Sequence, residues 1–91
     1  MNEDLLALQT KVSTIIYNPF INLKEQATEL KKTLTRLGAE SDLIRKLEDT
    51  IVTLDQLEGL NHGSVERIKG FNKAKNTILK IIKESDESTV K

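Results

Sequence analysis

The sequence predicts an all-α fold: an antiparallel, up-and-down bundle of three to four helices with coiled-coil-like packing. Three observations carry this expectation. From Ile16 onward the apolar residues Ile16, Phe20, Leu23, Ala27, Leu30, Leu34 and Leu37 recur at alternating fours and threes, the spacing that keeps one stripe of a helix turned toward a neighbour. Two short interruptions, residues 38–41 and 59–64, each begin on Gly and end on Ser, and links this short make the helices they join antiparallel. The 91 residues are 37% apolar, with only three aromatics, Tyr17, Phe20 and Phe71. That suffices for one thin aliphatic core and leaves no enclosed cavity for a large ligand.

Taken in order, residues 3–16 read as a helix, with Glu3 and Asp4 at the end where a helix dipole favours negative charge. Leu5, Leu8, Val12 and Ile15 repeat along it at helical spacing. Asn18-Pro19 interrupts the pattern. Asn is a good N-cap and Pro is tolerated at the first helical position, so a new helix can start at Pro19. A single helix kinked at Pro19 also fits, at the loss of a backbone hydrogen bond. The stripe running through 5, 8, 12, 16, 20 and 23 tips the reading toward the kinked or nearly continuous form. The segment then ends at Leu37-Gly38, where Gly is the usual left-handed terminator and Arg36 complements the dipole.

Ser41 is the expected cap of the third helix, about Asp42 to Glu58, whose apolar side is Leu43, Ile44, Leu47, Ile51, Leu54 and Leu57. Ser64 caps the last helix, Val65 to about Glu84. Its apolar residues, Ile68, Phe71, Ala74, Ile78, Leu79, Ile81 and Ile82, span an arc wide enough to be buried between two neighbours. Gly70 costs this helix about 1 kcal/mol relative to Ala and marks a point where it can break. Residues 1–84 are therefore expected to form one bundle domain, and the polar residues 85–91 a disordered tail.

Formal charge is zero, from 14 basic and 14 acidic residues. The signs are segregated, however: residues 1–22 sum to −1, 23–37 to +2, 38–63 to −4 and 64–91 to +3. An acidic third helix should lie against a basic second and fourth. Cys is absent, so disulfides and thiolate metal sites are excluded. The acidic start lacks the basic region of a signal peptide, and no apolar run approaches membrane-spanning length. An intracellular, cytoplasmic protein is the expectation, with the nucleus not excluded.

No constellation of chemical groups stands out. His62 is the sole histidine, in a loop between two glycines, and a zinc site needs three protein ligands. There is no calcium-loop spacing, phosphate-binding glycine loop, nucleophile elbow or HExxH. No cofactor, no metal and no enzymatic activity are expected. Arg67, Lys69, Lys73, Lys75, Lys80 and Lys83 make the last helix basic, so a nucleic-acid-associated regulator is one reading. Lys75 is the anomaly among them, since it falls inside the apolar arc. Snorkelling of its stem over apolar neighbours is the favoured account, and pairing with an acid from residues 40–58 or from a partner the alternative. Ile21 and Val52 lie off their helices' apolar stripes.

Asn18-Pro19-Phe20 with Lys24-Glu25, and Leu47-Glu48-Asp49-Thr50-Ile51, resemble fragments of the N-terminal three-helix domain of syntaxin-6-type SNAREs. The resemblance covers about fifteen residues and implies a membrane-traffic adaptor. The two fragments lie closer together than in that family, and its expected aromatic positions are missing.

The leading expectation is a non-enzymatic protein–protein interaction module, a helical subunit of a larger homo- or hetero-oligomeric assembly. Its contact candidates are Tyr17, Phe20, Ile21, Leu23, Ala27, Leu30, Leu34, Val52 and Lys75. An inhibitor or immunity-type bundle belongs to the same class. The regular stripe and the wide apolar arcs suggest that some of the helices covering them come from another chain.

Overall fold

The computed structural model describes residues 3–15 and 20–89. Four helices account for nearly all of them: α1 (Glu3–Ser13), α2 (Phe20–Leu37), α3 (Ser41–Glu58) and α4 (Val65–Thr89). Each packs against its sequence neighbours, α4 closes against α1, and α2 meets α4 across the core. Helices α1 and α3 occupy opposite corners, and their backbones do not approach closely among the described residues. The all-α up-and-down bundle expected from the sequence is therefore what the chain forms, in a body of 44 × 23 × 16 Å.

The first helix is not a kinked extension of the second. Helix α1 stops at Ser13, and its end is closed by Thr14 N–H to Thr10 and Ile15 N–H to Val12. Arg36, in the last turn of α2, is ion-paired with Asp4, in the first turn of α1. That contact requires the chain to reverse direction between the two helices. An uninterrupted stripe of spacings cannot distinguish a kink from a reversal, because both keep the apolar face on the core. Pro19 itself lies outside the described residues.

The α2–α3 link shows why Gly is needed at 38. Gly38 has φ +72°, a backbone region that L side chains rarely adopt. With this turn, Ala39 N–H reaches Leu34 O at 3.0 Å and Gly38 N–H reaches Thr35 O at 3.2 Å, satisfying carbonyls that the helix leaves open. Helix α3 begins one residue earlier than expected. Leu43 and Ile44 both donate to Glu40 O, so Glu40 holds the cap position, without a side-chain cap bond, and Ser41 is already helical. Ser64 does act as predicted, its Oγ accepting from Arg67 N–H at 3.4 Å.

Helix α4 is unbroken at Gly70 and runs to Thr89, through residues expected to be a disordered tail. Ser85 is fully buried, which its hydroxyl permits by donating to Ile81 O at 2.8 Å. Gly70 is explained by α3: a Cβ there would lie 2.6 Å from Leu57 Cδ1. Its missing side chain lets α3 approach where α4 begins. Ile68, placed in the apolar arc by the sequence, is largely exposed, and Arg67 takes the inward position instead.

The charge segregation operates between α2 and α3. Lys24 Nζ lies 2.7 Å from Asp55 and 2.8 Å from Glu58, and Lys31 is 3.9 Å from Glu48. Between α3 and α4, Leu57 packs closely over Gly70. Replacing Gly70 with Leu should therefore force these two helices apart and cost about 1–3 kcal/mol, measured as a lowered urea midpoint with secondary structure retained. A neutral outcome would mean that Leu57 yields without consequence.

Candidate functional site

The regular stripe does not form an outward face. Leu23, Ala27, Leu30 and Leu34 are all 0% exposed within the single chain, and Phe20 is 3% exposed. Their neighbours are α1, α3 and α4 of the same polypeptide. Each buried leucine contributes about 1.5–3 kcal/mol by leaving water, so these five residues are committed to the core of the single chain. Of the remaining candidates, Tyr17 lies outside the described residues. Ile21 and Val52 are 63% and 55% exposed, yet they are not combined with Phe20 into one surface. Ile21 lines a shallow groove between α2 and α3 with Ile51 and Asp55, and Val52 is not part of that groove.

Lys75 has a role that neither sequence account foresaw. Its ammonium donates to Ile15 O at 2.8 Å and to Ser13 O at 3.2 Å. No acid of α3 is its partner. A cation at a helix C-terminus meets the negative end of the dipole and the carbonyls that lack intrahelical donors. Lys75 thus fastens the end of α1 to the middle of α4.

Arg67 is also turned inward, at 5% exposed, with its guanidinium 4.3 Å from the Phe20 ring centroid. Phe20 meets Phe71 edge-on with centroids 5.0 Å apart. The cation lies against the negative face of the Phe20 ring, and the two rings are inclined at 63° in an edge-type pair. Arg67 Nε has no hydrogen-bond partner among the described residues. Spacing does reveal this position in retrospect, because Arg67, Phe71, Ala74 and Ile78 follow the helical fours and threes of a core stripe. The sequence reading counted Arg67 only among the basic residues of this helix and gave it no place in the core.

A groove of about 690 Å³ runs along the outer junction of α3 and α4. Thr50, Leu57, Gly70 and Ala74 form its floor, with Thr53 and Thr77 beside them; the exposed charges along it are Asp49 on α3 and Glu66, Lys69 and Lys73 on α4. Small residues on both helices, Thr50 and Thr53 on α3 and Gly70, Ala74 and Thr77 on α4, leave room for the groove. Hydroxyls that would otherwise be left open are satisfied locally: Thr50, Thr53 and Thr77 each donate to the carbonyl four residues earlier. Val65, 64% exposed, closes one end. The sequence signal was available as small residues at 70, 74 and 77 flanking the apolar arc of α4, but small side chains add little to a hydropathy pattern.

His62 is exposed in the α3–α4 link. Among the described residues no three His, Asp or Glu side chains gather as a metal site, and no helix is long and apolar enough to cross a membrane. Comparison with known proteins gave no match to a family model, to a curated protein or to a solved structure. The syntaxin-type resemblance rests on its two short fragments alone. Four helices stand where that domain has three, and Phe20 and Leu47 from those fragments are core residues.

Two ionic arrangements generate tests. Exchanging Lys75 for Met keeps the apolar stem and deletes both carbonyl contacts, so it should cost about 1–2 kcal/mol and speed amide exchange at the end of α1, with α3 unaffected. Unchanged exchange there would remove Lys75 from this role. Hydrogen bonds from Lys24 to Asp55 and then to Glu58 raise its pKa above the ordinary 10.5. Its stabilising contribution is accordingly complete below 10.5 and lost as pH climbs through the higher native value. The stability gap between the wild type and Lys24→Met should hold steady at neutral pH and shrink under alkaline conditions in urea titrations; a gap independent of pH contradicts the assignment.

Proposed function

We propose that this chain is a non-enzymatic protein-binding module and that the α3–α4 groove is its contact surface. The observation that carries this reading is the groove itself: a largely apolar trough floored by small side chains, with charges of both signs on its rims. Such a trough suits the ridge of a packing helix, the recurrent mode in which one amphipathic helix lies in the furrow of another protein. The core leaves little else to work with. Its buried side chains are mostly leucine and isoleucine, with Phe20, Phe71 and Arg67 packed on one another, an arrangement that offers a small substrate few convergent polar groups.

The same geometry weakens the nucleic-acid reading of α4. Of its six basic residues preceding Glu84, Arg67 stacks on Phe20 and Lys75 holds the end of α1. Lys69, Lys73, Lys80 and Lys83 remain exposed. Four phosphate contacts would make binding fall steeply with added salt, whereas an apolar trough responds weakly.

Thr53 is exposed and lines the groove without supporting the core. Thr53→Arg should leave the helical circular dichroism unchanged and weaken capture of a protein partner by about tenfold, a loss of the size expected when a charged side chain obstructs an apolar contact. Capture insensitive to this change, or capture abolished by moderate salt, would contradict the proposal.

A further inference from the structure

We infer that α1 is a detachable strap: it opens as a unit from α2 and α4 while those two helices and α3 stay folded together. The inference does not involve the α3–α4 groove and stands apart from its reading as a contact surface.

Helix α1 is the smallest commitment in the bundle. Its 11 residues are too few to persist as a helix in water without neighbours. It buries three residues, Leu5, Leu8 and Val12, where α2 buries six and α3 five. Its seam with α2 is also loosely filled. A polar groove of about 410 Å³ runs there, with Ala7 and Lys11 on the α1 side and Gln26 and Glu29 on the α2 side. The Oε1 of Gln26 is buried without a hydrogen-bond partner among the described residues, a cost that a well-packed seam avoids. At its two ends α1 is held by polar contacts. Arg36 pairs with Asp4, and Lys75 donates to the carbonyls of Ser13 and Ile15. Contacts of this kind near the surface fix where a helix lies more than how firmly it is held.

The rest of the bundle closes without the strap. Helices α2, α3 and α4 each pack on the other two, so departure of α1 leaves a complete triangle. The two end contacts mark the stretch that α1 spans, from Arg36 of α2 to Lys75 of α4. Level with it lie Leu30 and Leu34 of α2 and Ile78 and Ile82 of α4, all 0% exposed. Opening of α1 therefore gives solvent a passing access to the inner face of the bundle while the helices that form it stay in place.

The test is amide exchange of the full chain, followed residue by residue as urea is raised below the unfolding transition. Residues 8–12 should share one opening free energy and show protection about a hundredfold below that of the most protected amides of α3. Their exchange should respond little to urea, because a local opening exposes little surface. The amides of α2 should keep the protection set by global unfolding, since α3 and α4 still flank that helix. Gln26→Leu removes the unpartnered acceptor and fills the seam, so it should slow exchange of residues 8–12 about tenfold. Residues 8–12 that match α3 in protection and in urea dependence overturn the inference. So does a gradient of exchange falling from the ends of α1 toward its middle, which is fraying rather than release of a unit. Exchange of α1 untouched by Gln26→Leu, with helicity retained, overturns it as well.

Discussion

Everything in this structure depends on α2 touching all three other helices along one narrow stripe. Leu23, Ala27, Leu30 and Leu34 are completely withdrawn from water, and α2 is flanked by α1 and α3 while crossing α4 in the core. A chain of 91 residues has few such residues to commit. Once they fill the centre, α1 and α3 are held at opposite corners by helices they share rather than by each other. The alternation of three and four keeps α2 turned toward that centre along its whole length.

The ends of this arrangement are held by unlike means. Where α2 and α4 begin, Phe20, Phe71 and Arg67 form a small aromatic and cationic cluster. Where α1 ends, Lys75 supplies the hydrogen bonds that its last carbonyls lack. Helix α1 has 11 residues against 25 in α4, so at about 1.5 Å per residue it covers less than half of its neighbour. Lys75 sits where that cover stops. Its place in the apolar arc follows from this, since only a residue facing α1 can reach the end of α1.

Much of the fold was legible from spacing alone: four helical segments, both tight links, the left-handed Gly38, the cap at Ser64 and the acidic face of α3 toward Lys24 and Lys31. What escaped the sequence escaped for physical reasons. Periodicity records which face is apolar and not which molecule covers it, so a self-contained core looked like an interface waiting for another chain. It is equally blind to reversal, which is why α1 and α2 read as nearly continuous. Composition mistook residues 85–89 for tail, because a buried serine satisfied by its own helix is indistinguishable from an exposed one. The candidate groove was the least legible feature, since it arises from side chains that are small rather than from any that are distinctive.

The central claim is that one polypeptide buries the α2 stripe by itself. Amide hydrogen exchange of the dilute chain measures this most directly. Protection across Leu23–Leu34 should be among the highest in the molecule, set by global unfolding, and should not change as the chain is diluted. Rapid exchange through those residues at low concentration, with protection gained only when a partner or further chain is supplied, would contradict the account.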